Sequence, residues 1–163
     1  MEFKDIMAIS GKPGLYKFVA QGRNSVIVEN LETGKRISAF TTERVSSLEE
    51  ISIFTENEDI PLTEVFKNIS DKLEGKEAPG PKSSSDELKT FFTEVLPDYN
   101  EERVYVSDIR KIVLWYNLLQ RLNLLNELME ALGKDVESKA EEKADAKAED
   151  ESEEKRPAEN KEE

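Results

Sequence analysis

The sequence predicts an α+β protein: a small antiparallel sheet with a flanking helix, then a small helical unit and an acidic tail. Short runs rich in β-branched residues recur up to residue 55, while apolar residues follow helical spacing from residue 61 to 132. From residue 133 onward the apolar residues are alanines and one valine. Such a composition buries too little surface to offset chain entropy, so a disordered tail is predicted.

The first half contains four predicted strands. Phe3, Ile6 and Met7 stand at helical spacing and predict a short first helix, which the glycine-rich segment ISGKPG joins to the first strand. The strands are LYKFVA, VIVEN, RISAF and ISIFT, and TTERVSSLEE is predicted to connect the last two. Because so short a chain leaves open sheet edges exposed, an SH3-like barrel is favoured, with a curled sheet as the alternative.

Helices are predicted next. PLTEVFKNISDKL has one apolar face and follows the strands. In the second half, Ser84 and Glu87 form a capping-box pattern and Pro97 ends that helix. Ser107 is predicted as the N-cap of a longer apolar helix, and Asn123 is favoured, narrowly over one continuous helix, to divide it.

Proline, glycine and serine punctuate the chain between these helices, and this composition predicts a linker. The predicted divisions are a sheet domain at 1–74, a linker at 75–84, a helical domain at 85–132 and the acidic tail at 133–163.

Composition restricts the chemistry. The chain has no cysteine and no histidine, which removes thiolate nucleophiles, disulfides and the usual general base of serine triads. Neither Gly11-Lys12 nor Gly34-Lys35 has the residues that a phosphate-binding P-loop requires. The acidic run at 56–59 lacks the glycine of a calcium loop. A non-enzymatic protein without metal or cofactor is therefore predicted.

Charge is unevenly distributed. The whole chain has a formal net charge of −13, yet the predicted strands carry an excess of basic residues. Basic strands with aromatic neighbours are typical of proteins that bind a nucleic-acid backbone. The candidate residues for such binding are Lys12, Lys17, Arg23, Lys35 and Arg36.

The predicted helix at 108–121 is apolar around most of its circumference, so it needs to be enclosed. Either the core of the protein or another protein encloses it, and the sequence leaves both readings open. The candidate residues for a protein-interaction surface, with a partner or a second copy, are Trp115, Tyr116 and Leu119, because aromatic residues dominate such surfaces.

No apolar run is long enough to span a bilayer, and no export signal is visible, so a cytoplasmic protein without membrane contact is expected. The segments DIMAISGKPGLYKFVAQ, VIVENLETGKR, PLTEVFKNI and ELKTFFTEVLPDYNEERVYVSDIRKIVLWYNLL resemble an uncharacterised family of small Bacteroidetes proteins. In that family an N-terminal domain of unknown function precedes a short helical domain. The resemblance implies a two-part protein and assigns no functional residue.

The biological role is unknown at this point. The favoured hypothesis is an interaction or adaptor protein that binds another protein through the helical unit and one face of the barrel. The alternative is nucleic-acid binding, with a ribosome-associated role, through the basic strands.

Overall fold

A computed structural model of the chain describes residues 1–135 and 137. These residues form an antiparallel sheet and helices, which confirms the predicted α+β class. Residues 133–135, at the start of the predicted acidic tail, are helical. The prediction of disorder for the rest of that tail concerns residues outside those that the structure describes.

The main sheet has five antiparallel strands in the order β4-β3-β2-β1-β5. They are β1 Ile6–Ile9, β2 Tyr16–Gln21, β3 Ser25–Asn30, β4 Arg36–Phe40 and β5 Val45–Ser47. In the described part of the chain β4 and β5 are both edges, so the sheet is open and the predicted SH3-like barrel is wrong. The edge at β4 is partly protected, because the backbone N–H of Phe40 donates to the Glu43 carboxylate at 2.9 Å.

The predicted first helix is limited to one 3-10 turn, Phe3–Asp5. Ile6 to Ile9 instead form β1, which pairs with β2 on one side and β5 on the other. Pairing on both sides satisfies the backbone of this segment and buries Ile6 and Ile9, and this outweighs the helical spacing. The glycine-rich segment is therefore a hairpin loop between β1 and β2.

The predicted connection TTERVSSLEE also contains regular structure. It supplies β5 and a 3-10 turn, Leu48–Glu50, whose N-cap Ser47 accepts the backbone N–H of Glu49 at 3.2 Å. The predicted strand ISIFT contributes only β6, Ser52–Ile53, which pairs with β7, Ile60–Pro61, in a separate ribbon. The sequence did not indicate β5, because three residues are too few to show an alternating pattern.

The helices are α1 Leu62–Leu73, α2 Ser85–Val95, α3 Val106–Arg121 and α4 over 125–135. The capping box of α2 is confirmed, since Ser84 and Glu87 each accept the other's backbone N–H at 3.2 Å. Asn123, at φ 56°, confirms the predicted break after α3. Ser107 is not an N-cap, because α3 begins earlier and the Asp108 carboxylate accepts the Tyr105 N–H at 3.0 Å.

The buried core is continuous between the sheet and the helices. Ile6 of β1 and Leu15, just before β2, belong to one buried cluster. The same cluster contains Phe66 of α1, Phe92 of α2 and Tyr116 of α3. Phe66 lies between the rings of Phe3 and Tyr116, with centroid distances of 6.2 and 6.4 Å. The helices therefore cover the side of the sheet on which Ile6 lies.

The segment 75–84, the predicted linker, lies along α3. The Asn117 side chain accepts the backbone N–H of Ala78 at 2.8 Å and donates to its carbonyl at 3.1 Å. The Tyr116 hydroxyl donates to the Lys76 carbonyl at 3.1 Å, and Arg110 donates to the carbonyls of Pro81 and Ser83. The division of the chain into separate domains stays a prediction, but α3 holds this segment in place.

Candidate functional site

A groove separates α3 from the β1–β2 loop and the segment around β5. Its larger part, here named the loop cleft, has a volume of about 540 Å³. One wall is the glycine-rich loop from Ser10 to Gly14, and the opposite wall is α3. A cleft of this size falls in the range of small-molecule ligand sites, roughly 300–1,000 Å³.

A second part of the groove, here named the Arg103 cleft, has a volume of about 240 Å³. It shares Ile51, Lys111 and Trp115 with the loop cleft, so these three residues form the ridge between the two parts. Arg103 stands at its side with the guanidinium carbon 3.6 Å from the centroid of the Phe54 ring. Together the two clefts form one surface, which we name the Trp115 groove.

The helical period of α3 explains why Trp115 lies at the surface. Ile112, Tyr116 and Leu119 follow one another at spacings of four and three residues and are all buried in the core. Trp115 and Lys111, four residues apart, lie on the neighbouring face and line the groove. The core therefore encloses one side of this apolar helix and leaves its single tryptophan half-buried.

The three predicted interaction residues occupy different environments. Tyr116 and Leu119 have no exposed surface, and burial raises the pKa of the Tyr116 phenol. These two residues serve the core in the folded protein. Of the three, Trp115 alone reaches the surface, so it is the predicted interaction residue that a partner can contact in the folded protein.

The loop places Lys12 at the cleft through two glycines. Gly11 and Gly14 have φ values of 81° and 85°, a region that other residues enter at an energetic cost. Backbone hydrogen bonds from Lys12 to Ile9 and from Ser10 to Arg44 fix the loop against β5. The glycine-rich segment therefore shapes one wall of the groove.

Three cations line the loop cleft. Lys12 pairs with Glu43 at 2.8 Å. In the described part of the chain Arg44 and Lys111 form no ion pair. No carboxylate of a described residue lines this cleft, and its other lining residues are neutral or apolar. The cleft is thus locally positive in a chain whose net charge is −13.

Glu43 joins the loop to the sheet edge. The hydrogen bond from Lys12 and then that from the Phe40 backbone hold the pKa of the Glu43 carboxyl below its ordinary value. The folded state thus favours the carboxylate. The stability that the ionised Glu43 carboxylate adds to the folded protein is present above the unfolded-state pKa of this group. It is lost as pH falls through the lower folded-state pKa.

Replacing Glu43 with glutamine is expected to lower the melting temperature near neutral pH, since the amide loses the ion pair with Lys12. The difference from the wild type should shrink in acid, where the Glu43 carboxyl is protonated in both states. Thermal denaturation followed by circular dichroism, at neutral and at acidic pH, measures the melting temperatures of the variant and the wild type. The matched control is Glu49→Gln at an exposed position, and a constant difference at both pH values would contradict the assignment.

The other predicted nucleic-acid residues do not converge. Lys17 and Arg36 both stand opposite Glu29 in the sheet, and Arg36 bonds to it at 2.9 Å. Arg23 is in the β2–β3 turn and Lys35 is in the β3–β4 turn, at opposite ends of the sheet. Lys12 alone of the five predicted residues lies in the groove.

The sequence reasoning missed Arg44 and Lys111 as site residues. No sequence pattern around Arg44 indicates a site. Lys111 is one helical turn before Trp115, and this spacing was the one available signal that both share a face. Only the packing of α3 beside β5 brings the two cations to one cleft.

Within residues 1–135 and 137, no cluster of three or more Asp, Glu, His or Cys side chains has an arrangement suited to a metal ion. In the same part of the chain, every helix is too short or too polar to cross a bilayer.

The fold and groove are those of a small α+β protein. Comparison with known proteins shows which family it belongs to. A domain of unknown function, DUF5606, matches residues 3–48, and another, DUF6852, matches residues 51–119. A solution NMR structure of a structural-genomics target from Bacteroides vulgatus is 42% identical, covers 75% of this chain and 88% of that chain, and has a TM-score of 0.64. No curated protein matches. The chain therefore belongs to the family in which DUF5606 precedes DUF6852, which confirms the resemblance seen in the sequence.

Proposed function

We propose that the protein is a non-enzymatic interaction protein whose Trp115 groove binds an acidic, apolar-bearing segment of a partner protein. One observation carries the proposal: half-buried Trp115 stands between two clefts, and the loop cleft also holds Arg44 and Lys111, two cations that pair with no carboxylate of the described residues. Tryptophan and arginine are the residues most enriched at the energetic centres of protein interfaces.

Charge complementarity supports an acidic partner. Arg44 and Lys111, which form no ion pair with a described residue, come from separate parts of the chain and line one cleft that has no carboxylate among the described residues. Lys12 lines the same cleft, but its charge is balanced by Glu43. The other charges of the protein are screened over a Debye length of about 10 Å at 0.1 M salt. A short acidic segment seated in the cleft therefore meets the local positive charge more strongly than the overall negative charge.

A binding role without catalysis is in keeping with the composition, because the chain has neither histidine nor cysteine for general-base or thiol chemistry. Mostly apolar walls also suit a site that holds a ligand by burial. A cytoplasmic location for this activity stays a prediction.

The nucleic-acid alternative has less support from the geometry. Two of its five predicted cations, Lys12 and Arg36, are engaged with carboxylates. Exposed Phe40 is the one aromatic ring of β4, and it has no stacking neighbour in the described part of the chain. A ribosome-associated role becomes an outcome of the test below rather than a second proposal.

The single tryptophan supplies a direct binding test. Trp115 is the only tryptophan in the sequence, so a change in intrinsic fluorescence on titration reports contact with the groove. The probe is a capped hexapeptide of alternating glutamate and leucine, compared with the lysine–leucine peptide and with a single-stranded RNA oligonucleotide. Saturable binding of the glutamate peptide alone supports the proposal. Stronger binding of the RNA, with affinity falling linearly in log salt, would favour nucleic acid instead.

Lys111→Glu is expected to weaken binding of the glutamate–leucine peptide by about tenfold, because it replaces an attractive charge at the ridge with a repulsive one. Trp115 fluorescence titration measures the affinity. The matched control is Lys89→Glu on the exposed face of α2, which makes the same change in net charge away from the groove. Equal affinities of the two variants would contradict a role for the groove.

A further inference from the structure

The two clefts of the Trp115 groove differ in charge as well as in volume. The loop cleft is lined by three cations and no carboxylate of the described residues. The Arg103 cleft contains the Asp108 carboxylate, and its inner wall is formed by apolar side chains. That wall consists of Ile51, Ile53, Val104 and Ile112. An acidic side chain is thus favoured in the first cleft. In the second, Asp108 offsets part of the positive charge of Arg103 and Lys111, and the apolar wall favours an uncharged side chain.

The loop cleft and the Arg103 cleft also differ in volume. The Arg103 cleft, at about 240 Å³, is smaller than the pockets of roughly 300–1,000 Å³ that hold whole small-molecule ligands. Its apolar wall suits one aliphatic side chain. The Arg103 guanidinium is positioned over the Phe54 ring, so its charge lies beside the cleft against an aromatic surface.

The geometry points to a two-part recognition rule: the partner segment places an acidic side chain in the loop cleft and an aliphatic side chain in the Arg103 cleft, crossing Trp115 between them. This inference rests on the proposed function and specifies the chemistry of the partner. The shared ridge of Ile51, Lys111 and Trp115 makes the two clefts neighbours, so a single short segment reaches both.

Two serine positions allow each cleft to be blocked separately. Ser52 lines the Arg103 cleft alone and is exposed on β6, whereas Ser46 lines the loop cleft alone on β5. The variants Ser52→Phe and Ser46→Phe therefore introduce the same side chain into different parts of the groove. The probes are two capped hexapeptides, one of alternating glutamate and leucine and one of alternating glutamate and alanine, titrated against Trp115 fluorescence.

The wild type is expected to bind the leucine peptide about tenfold more tightly than the alanine peptide, since leucine buries more apolar surface. Ser52→Phe should abolish this preference and leave the affinity for the alanine peptide unchanged, which also shows that the variant is folded. Ser46→Phe should weaken both peptides. The smaller change Ser52→Leu should reduce the preference partially, and it serves as the test if Ser52→Phe fails to fold.

A Ser52 variant that keeps the full preference for leucine would overturn the two-part rule. The proposed function would survive that result if Ser46→Phe and Lys111→Glu still weakened binding. If neither peptide bound the wild-type protein, the proposed function would fail, and the two-part rule with it.

Discussion

Replacing Phe66 with alanine is expected to lower the free energy of unfolding by about 3–5 kcal/mol, the range for removing a large aromatic side chain from a packed core. Phe66 has no exposed surface. Its ring lies between Phe3 before β1 and Tyr116 on α3. Truncation removes contacts to both halves of the chain and leaves a cavity between them. Urea denaturation followed by circular dichroism measures the loss.

Phe40→Ala is the matched control for this substitution. It makes the same chemical change on the outer strand β4, where 58% of the side chain is exposed. Its effect on the free energy of unfolding is expected to stay within about 1 kcal/mol, since surface substitutions remove little buried area. Similar losses for the two variants would contradict the placement of Phe66 at the centre of a shared core.

Replacing Asn117 with alanine is expected to cost about 2–4 kcal/mol of stability. The substitution removes two hydrogen bonds and leaves the backbone N–H and carbonyl of Ala78 without these partners. Ala78 is 7% exposed, so water does not readily replace the lost amide. The segment 75–84 should also become more sensitive to proteolysis, because α3 no longer holds its middle.

Limited proteolysis of the folded protein, together with urea denaturation, tests both consequences. Asn126→Ala is the matched control, because Asn126 is exposed on α4 and has no hydrogen bond to segment 75–84. Rapid cleavage within 75–84 in the wild type would contradict the packing of this segment on α3. Unchanged cleavage in Asn117→Ala would show that Arg110, Tyr116 and Gln120, which donate to other carbonyls of the segment, suffice to hold it.

Several elements of the fold were predictable because their signals are local. RISAF coincides with β4, and the Ser84–Glu87 capping box forms as expected. Asn123 adopts the left-handed conformation that its side chain tolerates, which divides α3 from α4. In each case the residues that determine the conformation lie within a few positions of one another.

Predictions failed where distant pairing decided the structure. Ile6 and Met7 stand at helical spacing and were predicted as helix, yet β2 and β5 on either side make them part of a central strand. The short β5 gave no periodic signal of its own and exists because β1 provides its partner. The sheet remains open for the same kind of reason: its order ends at β4 and β5, which is a property of the pairing and not of either strand.

The sequence by itself determined the α+β class, most helix boundaries and the absence of thiol and imidazole chemistry, because composition and short-range patterns are sufficient for these. Family membership followed from the resemblance of whole segments to a known family. Only the tertiary structure decided that Tyr116 and Leu119 belong to the core while Trp115 reaches the groove. It also brought Lys12, Arg44 and Lys111 to one cleft. Side chains far apart along the chain become neighbours only when α3 packs beside β5, and that packing depends on burial across the whole core.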